Sequence, residues 1–256
     1  MTINRLSPAF ASLKVSSPAA TRAPRPALRN IVPSGAPYSI LAPQHYEPNY
    51  AYPLIVWLHG FGGSEQELKR IMPLVSLRNY VSVAVRGPAD TGDGYDWPQT
   101  PDAIETTEQR ASDALALARS RFNIHRDRIF LAGYQTGGTM AIRLALRTPD
   151  RFAGAASLAG PFPNGHAPLV NITQARRSTL LIAHCRDSLT YPIDQVCHEL
   201  ALFHAAGMSV TLRQYPCDDD LTTLMLHDLD VWLMDQVTGG ASVSQTEPAP
   251  LPSEWN

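Results

Sequence analysis

Apolar residues in this chain fall in continuous runs more often than in alternation. "LIVWL", from Leu54 to Leu58, has no polar position. That pattern suits a strand covered on both faces, not one with a wet side. Further strands are read at "VSVAVRGP" from Val81, "RIFLAGY" from Arg128, "FAGAASLAG", "STLLIAHC" from Ser178 and "SVTLRQYP" from Ser209. Structure is expected to begin near "YSILAP" at Tyr38. Between the runs the apolar spacing changes to three and four. Ser64 and Glu67 have capping-box spacing and predict a helix start. Asp102 with Glu105 predicts the start of a long helix whose Ala111, Leu115, Ala118 and Phe122 share one face. Further stripes are Met140, Ala141, Leu144 and Ala145, then Val196, Leu200 and Phe203 ending at Gly207, then Met225, Leu229, Trp232 and Leu233. Strands and helices alternate from end to end. The pattern predicts an α/β fold: one doubly wound, mostly parallel sheet with helices on both faces.

Composition sets the limits of that domain. Of 256 residues 44% are hydrophobic and 17% charged, with a formal net charge of −2. This balance predicts no general attraction to nucleic acid. No run approaches the ~20 apolar residues of a membrane span. Residues 1–36 are rich in Pro, Ala and Ser, and the first acid in the chain is Glu47. Such a stretch offers too little apolar surface to offset ordering, and reads as a disordered basic, solvated arm more than as a transit peptide. No apolar segment follows its first charges, so no secretory signal is expected. The domain is read over residues 37–238, with no separate cap domain, and residues 239–256 read as a disordered tail. Cys185, Cys197 and Cys217 fit no metal spacing, predict no disulfide framework and point to a cytoplasmic, reducing location.

In parallel sheets of this kind, chemistry sits in the loops after the strands. After Leu58 comes "HGFGGSEQEL", glycine-rich and leading into a helix. After Val85 comes "RGPADTGDGYDWP", a polar and aromatic loop. "LAGYQTGGTM" follows the Arg128 strand, with Gly133 and Gly137 flanking a sharp strand-to-helix corner. "HCRDSLTYP" follows the Ser178 strand and "YPCDDDLTT" the Ser209 strand.

These loops, in this order, resemble the α/β-hydrolase superfamily, and within it the carboxylesterase, phospholipase and acyl-thioesterase family. The likeness runs from about Tyr38 to Val237. "LHGFGG" is similar to that family's oxyanion loop, and "GYQTGG" to its nucleophile elbow, Gly-Phe-Ser-Gln-Gly-Gly. "HCRDSLTYP" is similar to its His-Gly-x-x-Asp-x-x-Val-Pro loop, and "YPCDDD" to its Tyr-x-x-Gly-His loop. Carried over residue by residue, the resemblance places Gln135 where the nucleophilic serine stands. Alignment on Pro192 puts Ser188 at the acid position. Alignment on Tyr215 and Pro216 puts Asp219 at the histidine position, with Asp218 where glycine stands. Attack, proton transfer and imidazole orientation need a hydroxyl, an imidazole and a carboxylate. None of the three is in place. The oxyanion donors are implied to be the backbone amides of Phe61 and Thr136.

The sequence therefore predicts a catalytically degenerate esterase. It would bind a small acyl, aryl or hydroxylated ligand, or a protein partner, through the former pocket. Gly60, Phe61, Tyr95, Trp97, Gln135, Asp187, Ser188, Cys217, Asp218 and Asp219 are its expected lining. No metal or cofactor is implied, and the acids at Asp218 to Asp220 are read as favouring the N-terminus of the final helix. Gln135, Ser188 and Asp219 are expected to hydrogen-bond where the triad would have been. Two alternatives stand beside this one. The first is an active ester or thioester hydrolase using relocated residues: Cys217, Thr136, or Asp219 with Asp187. The second is a purely structural subunit. His59 and His184 are read as structural, and His166 and His227 as ordinary loop and helix residues.

Overall fold

The structure is a computed structural model, and it describes residues 37–239. The expected arm at 1–36 and the tail beyond Gly239 lie outside the described residues. In chain order the first elements are β1 (Tyr38–Leu41), β2 (Tyr52–Leu58), α1 (Leu68–Val75), β3 (Val81–Val85), β4 (Ala89–Asp90), β5 (Tyr95–Asp96) and α2 (Pro101–Arg121). Then follow β6 (Ile124–Tyr134), α3 (Thr136–Arg147), β7 (Gly154–Leu158), α4 (Ile172–Ala175), β8 (Thr179–Cys185), α5 (Ile193–Ala205), β9 (Ser209–Tyr215) and α6 (Thr223–Thr238). Seven strands form one sheet in the order β1-β3-β2-β6-β7-β8-β9, and β4 pairs with β5 alone. β1 runs antiparallel to β3, and every other pair in the large sheet is parallel. The mostly parallel, doubly wound reading holds.

The two faces of β2 explain its unbroken apolarity. Leu54, Val56 and Leu58 enter one core with residues of α2, α3 and α5. Ile55 and Trp57 enter the other with residues of α1 and α6. All seven residues of β2 are buried, so neither face tolerates a polar side chain. β9 is one of the two edge strands and is mostly exposed, with only Tyr215 buried.

Several local expectations change. The capping box at Ser64 does not close. Ser64 Oγ accepts from Gln66 N at 3.3 Å, and Glu67 turns away to accept from Trp57 Nε1 at 3.1 Å. A buried indole N–H with no other partner competes better for that carboxylate than a helix start near solvent does. The first turn is accordingly a short 3-10 segment, Glu65–Glu67, before α1. α2 begins at Pro101, with Thr100 as its cap position, so Asp102 lies inside the first turn instead of capping it. β6 starts at Ile124, four residues before the apolar run, because Tyr52 pairs with Ile124 across an irregular step in register. The β4–β5 hairpin and α4 lacked a periodic signal and were not anticipated.

Candidate functional site

The carboxyl ends of β2, β6, β7, β8 and β9 meet at one rim of the sheet, and β6 supplies the sharpest turn. Gln135 has φ 48° and ψ −120°, a conformation L-residues rarely adopt, costing roughly 1–3 kcal/mol. It is held by Gln135 N donating to Leu158 O at 2.8 Å and by Thr139 N donating to Gln135 O at 3.0 Å. The glycines leave no space for a side chain. A Cβ on Gly133 would lie 2.4 Å from Gly137 O, and one on Gly160 2.2 Å from Gln135 O.

The nitrogen of the Gln135 amide is engaged locally. Its Nε2 donates to Tyr134 Oη at 3.1 Å and to the Asp219 carbonyl at 3.4 Å. Tyr134 Oη itself donates to that same carbonyl. Burial, with Asp220, Cys185, Asp219 and Glu67 nearby, pushes the Tyr134 phenol up to about 12 and keeps it a donor. The Tyr134 ring lies on Gly60, where an added Cβ would be 2.6 Å from Tyr134 Cδ1 and 3.4 Å from Gln135 Oε1.

Ser188 and Asp219 meet through their side chains. Ser188 Oγ donates to Asp219 Oδ1, and Thr190 Oγ1 donates to the same oxygen at 2.8 Å. Ser188 Oγ also accepts from Tyr191 N at 2.9 Å, which ties the loop back on itself. The expected cluster of Gln135, Ser188 and Asp219 is thus one connected network. Gln135 joins it through the Asp219 backbone and not through either side chain.

Other expected members lie elsewhere. Trp97 is not a pocket wall. It is 1% exposed in the core, donates Nε1 to His59 O at 2.8 Å, and packs on the His59 ring. A ring so large, next to a buried carbonyl, gains more from the interior than from a wet loop. Tyr95 sits under the Arg86 guanidinium, with its backbone bonded to Gly62 and Gly63. Asp187 is exposed and paired with Arg186 at 3.2 Å. Asp218 is exposed, and Phe61 is 64% exposed. Thr136 Oγ1 is buried without a hydrogen-bond partner, so no base is positioned to take its proton. Cys217 Sγ lies 2.6 Å from Cys185 Sγ. Among the described residues, no group of three or more His, Cys, Asp or Glu side chains converges as a cation would require.

The histidines beside the rim are fully committed. His184 Nε2 bonds Tyr191 O at 2.8 Å. His59 Nδ1 donates to Gly60 O at 2.8 Å, and its Nε2 accepts from Gly87 N at 3.0 Å. Only the neutral ring can do both. Burial lowers the His59 pKa below 6.5, outweighing the Gly60 carbonyl and the acids Glu65 and Asp96 that favour its charge. The unfolded chain therefore binds a proton that the folded one excludes. Stability is full above the ordinary imidazole value and falls as pH drops below it, by up to about 1.4 kcal/mol per pH unit. Urea midpoints followed from about pH 8 to 5 are expected to show this slope, and His59→Asn to flatten it. A parent midpoint that does not move over that range would contradict it.

Three features of the rim were missed. Glu65 is 1% exposed and bonds Arg86 Nε and Nη2, both at 2.8 Å. Burial opposes its charge, but the hydrogen bonds from Arg86 and Gln66 hold it below the usual carboxyl range. This pair anchors the glycine loop after β2 to the end of β3. Buried Glu199 accepts from Tyr191 Oη at 2.5 Å, Gln195 Nε2 at 2.8 Å and Phe162 N at 3.0 Å. Its position between Val196 and Phe203 on the apolar stripe was the available signal. Tyr134 could have been found as the large polar aromatic directly before the corner.

The comparisons with known proteins agree with this architecture. A family model described as "Putative esterase" matches residues 33–174. "Putative esterase NocK" of Nocardia uniformis subsp. tsuyamanensis is 34% identical over 119 residues, 44% of this chain and 34% of that protein. The match therefore spans about a third of NocK's length. "Probable carboxylesterase SOBER1-like" of Arabidopsis thaliana is 22% identical over 212 residues, covering 74% of this chain and 81% of the relative. The solved carboxylesterase of Bacillus cereus superposes with a TM-score of 0.63 at 17% identity, over 78% of this chain and 93% of that one. The carboxylesterase of Mesorhizobium loti does so with a TM-score of 0.64 at 20% identity, over 80% and 98%. These two likenesses establish the α/β-hydrolase fold.

Proposed function

The chain belongs to the esterase family whose model it matches, and on that premise we propose that it is a member without ester hydrolysis, binding a ligand or protein partner at the former active-site rim. Gln135 carries the reading. A carboxamide cannot attack an acyl carbon, and the nitrogen of this one is held by Tyr134 and the Asp219 carbonyl. The side chains around it form a closed hydroxyl and carboxylate network in which no imidazole takes part. Loss of the nucleophile or base in a Ser-His-Asp hydrolase costs about 10⁶-fold in turnover, or about 8 kcal/mol. An oxyanion hole alone leaves roughly 10³-fold over water. Relocated chemistry has little support, because Thr136 Oγ1 lacks an acceptor and the Asp187 carboxylate is paired outward with Arg186.

The rim favours a partner with an apolar or amphipathic face. Phe61, Leu189 and Leu224 are 64%, 92% and 53% exposed, on the loops after β2 and β8 and in the first turn of α6. Tyr134 and Gln135 meanwhile fill the floor above Gly60. Among the described residues no helix is long and apolar enough to cross a membrane. A cytoplasmic, reducing location is proposed on a separate ground, the three cysteines that fit no disulfide framework.

The test is turnover of p-nitrophenyl acetate and butyrate, with and without divalent cations. The expected rate stays within the ~10³-fold margin that donor groups alone can supply. Sustained turnover with a covalent acyl adduct on the protein would overturn the proposal. A thermal-shift screen then seeks the ligand, since a binder at about 100 times its Kd adds about 2.7 kcal/mol of stability.

A further inference from the structure

We propose that Cys185 and Cys217 form a reversible disulfide that clamps together the two loops carrying Ser188 and Asp219. The inference is independent of whether the rim hydrolyses esters. It starts from register. β8 and β9 are parallel neighbours, and Cys185 stands opposite Tyr215 at the end of the ladder. The backbones stay joined beyond it. Arg186 N donates to Tyr215 O at 2.8 Å, and Asp187 N donates to Cys217 O at 3.1 Å. Cys185 and Tyr215 lie in one core cluster, and Cys217 packs against it. Both sulfurs are therefore on the same face of the sheet. They approach to 2.6 Å, against about 2.04 Å in a formed disulfide. With the backbones already paired, side-chain adjustment alone brings the bond into reach.

The two thiols have unequal access, and that assigns their roles. Cys217 is partly exposed and Cys185 is buried. Burial and the neighbouring Cys217 push the Cys185 thiol well above the ordinary thiol range. Cys217 is thus the sulfur that meets an oxidant. With a small-molecule disulfide such as oxidised glutathione, the Cys217 thiolate attacks one sulfur and breaks that bond. The first small thiolate leaves and takes a proton from water. Cys185 then gives up its proton and attacks Cys217 Sγ, and the second small thiol departs. Two protein thiols lose two electrons and two protons, and one small disulfide becomes two thiols.

The bond would close a loop between positions 32 residues apart. Within the reduced rim, the Ser188–Asp219 contact and the backbone bonds join the same two segments. A covalent link at their base would hold that contact shut. In a reducing compartment such a bond is transient, which suits a sensor more than a staple.

Trypsin makes the test direct, because Arg177, Arg186 and Arg213 place the three cysteines in separate peptides: 178–186, 187–213 and 214–256. The full chain is equilibrated in buffers of reduced and oxidised glutathione, quenched with an alkylating agent and digested without reduction. The expected product is peptide 178–186 linked to 214–256, about 2 Da below the sum of the free peptides and lost again in excess reduced glutathione. Cys217→Ser is expected to abolish the link and leave Cys185 reduced. Should that variant fail to fold, the digest of the unaltered chain decides alone. The bond is refuted if both cysteines stay alkylatable at the most oxidising ratio, or if Cys217 stops at a glutathione adduct. Amide exchange at residues 186–190 and 217–221 is expected to slow about tenfold on oxidation. A link that forms while those amides exchange unchanged would refute the clamp.

Discussion

Gly137→Ala is expected to lower the unfolding free energy by about 3 kcal/mol, at the upper end of what overpacking a close-packed site costs. A Cβ there would lie 2.3 Å from His59 O and 2.4 Å from Leu58 O. Both obstacles are backbone carbonyls at the end of β2, a central strand, so neither can swing aside as a long side chain would. The helix would have to move off the sheet, and α3 contributes Met140, Ala141 and Leu144 to the core beneath it. Gly62→Ala is the matched control. Gly62 has φ +68° and nothing within 4 Å of its would-be Cβ, so only the left-handed backbone cost of roughly 1 kcal/mol applies. Urea midpoints of the two variants separate steric demand from backbone demand. A Gly137→Ala protein as stable as Gly62→Ala would mean that packing does not demand glycine at this corner.

On the proposed function, the same packing demand keeps an elbow in a chain whose nucleophile position holds Gln135. Gly133, Gly137 and Gly160 are each held by backbone atoms within 2.4 Å of a would-be Cβ. The Gly133 and Gly137 pattern was legible because sterics, not chemistry, imposes it, whereas the demand at Gly160 shows only in the fold. The strands were legible for a related reason: a strand between two cores, such as β2, leaves no room for polar punctuation. Legibility failed where one polar group had two available partners. Glu67 had capping-box spacing from Ser64, but an indole N–H reached it first. Trp97 read as an aromatic in a polar loop, and its indole instead serves the His59 carbonyl inside the core. Spacing along a chain cannot rank such competitors, because the winner comes from another part of the fold. The meeting of Ser188 with Asp219 lies between these cases. Motif anchors at Pro192 and Tyr215 put both at the rim, but only the fold shows that Gln135 reaches the Asp219 backbone and not its carboxylate.

Reinstalling all three groups together, Gln135→Ser with Ser188→Asp and Asp219→His, is expected to raise ester turnover by at least ~10², a fraction of the ~10⁶ that such a triad supplies. Gln135→Ser alone is expected to do nothing measurable, since a hydroxyl without a base is no better than the residual site. The geometry favours the triple variant. The side chains at 188 and 219 already meet, so a carboxylate at one could orient an imidazole at the other. Residue 135 already holds the positive φ that presents a nucleophile, and its side chain reaches the segment at 219. What opposes recovery is Tyr134, whose ring covers Gly60 and whose hydroxyl holds the Asp219 carbonyl. A fourth change, Tyr134→Phe, tests that opposition by freeing the carbonyl while keeping the ring. If it raises the rate of the triple variant further, the phenol was holding the histidine segment out of line. A folded triple variant no faster than the parent, with or without Tyr134→Phe, would mean that these positions do not stand where an esterase triad must.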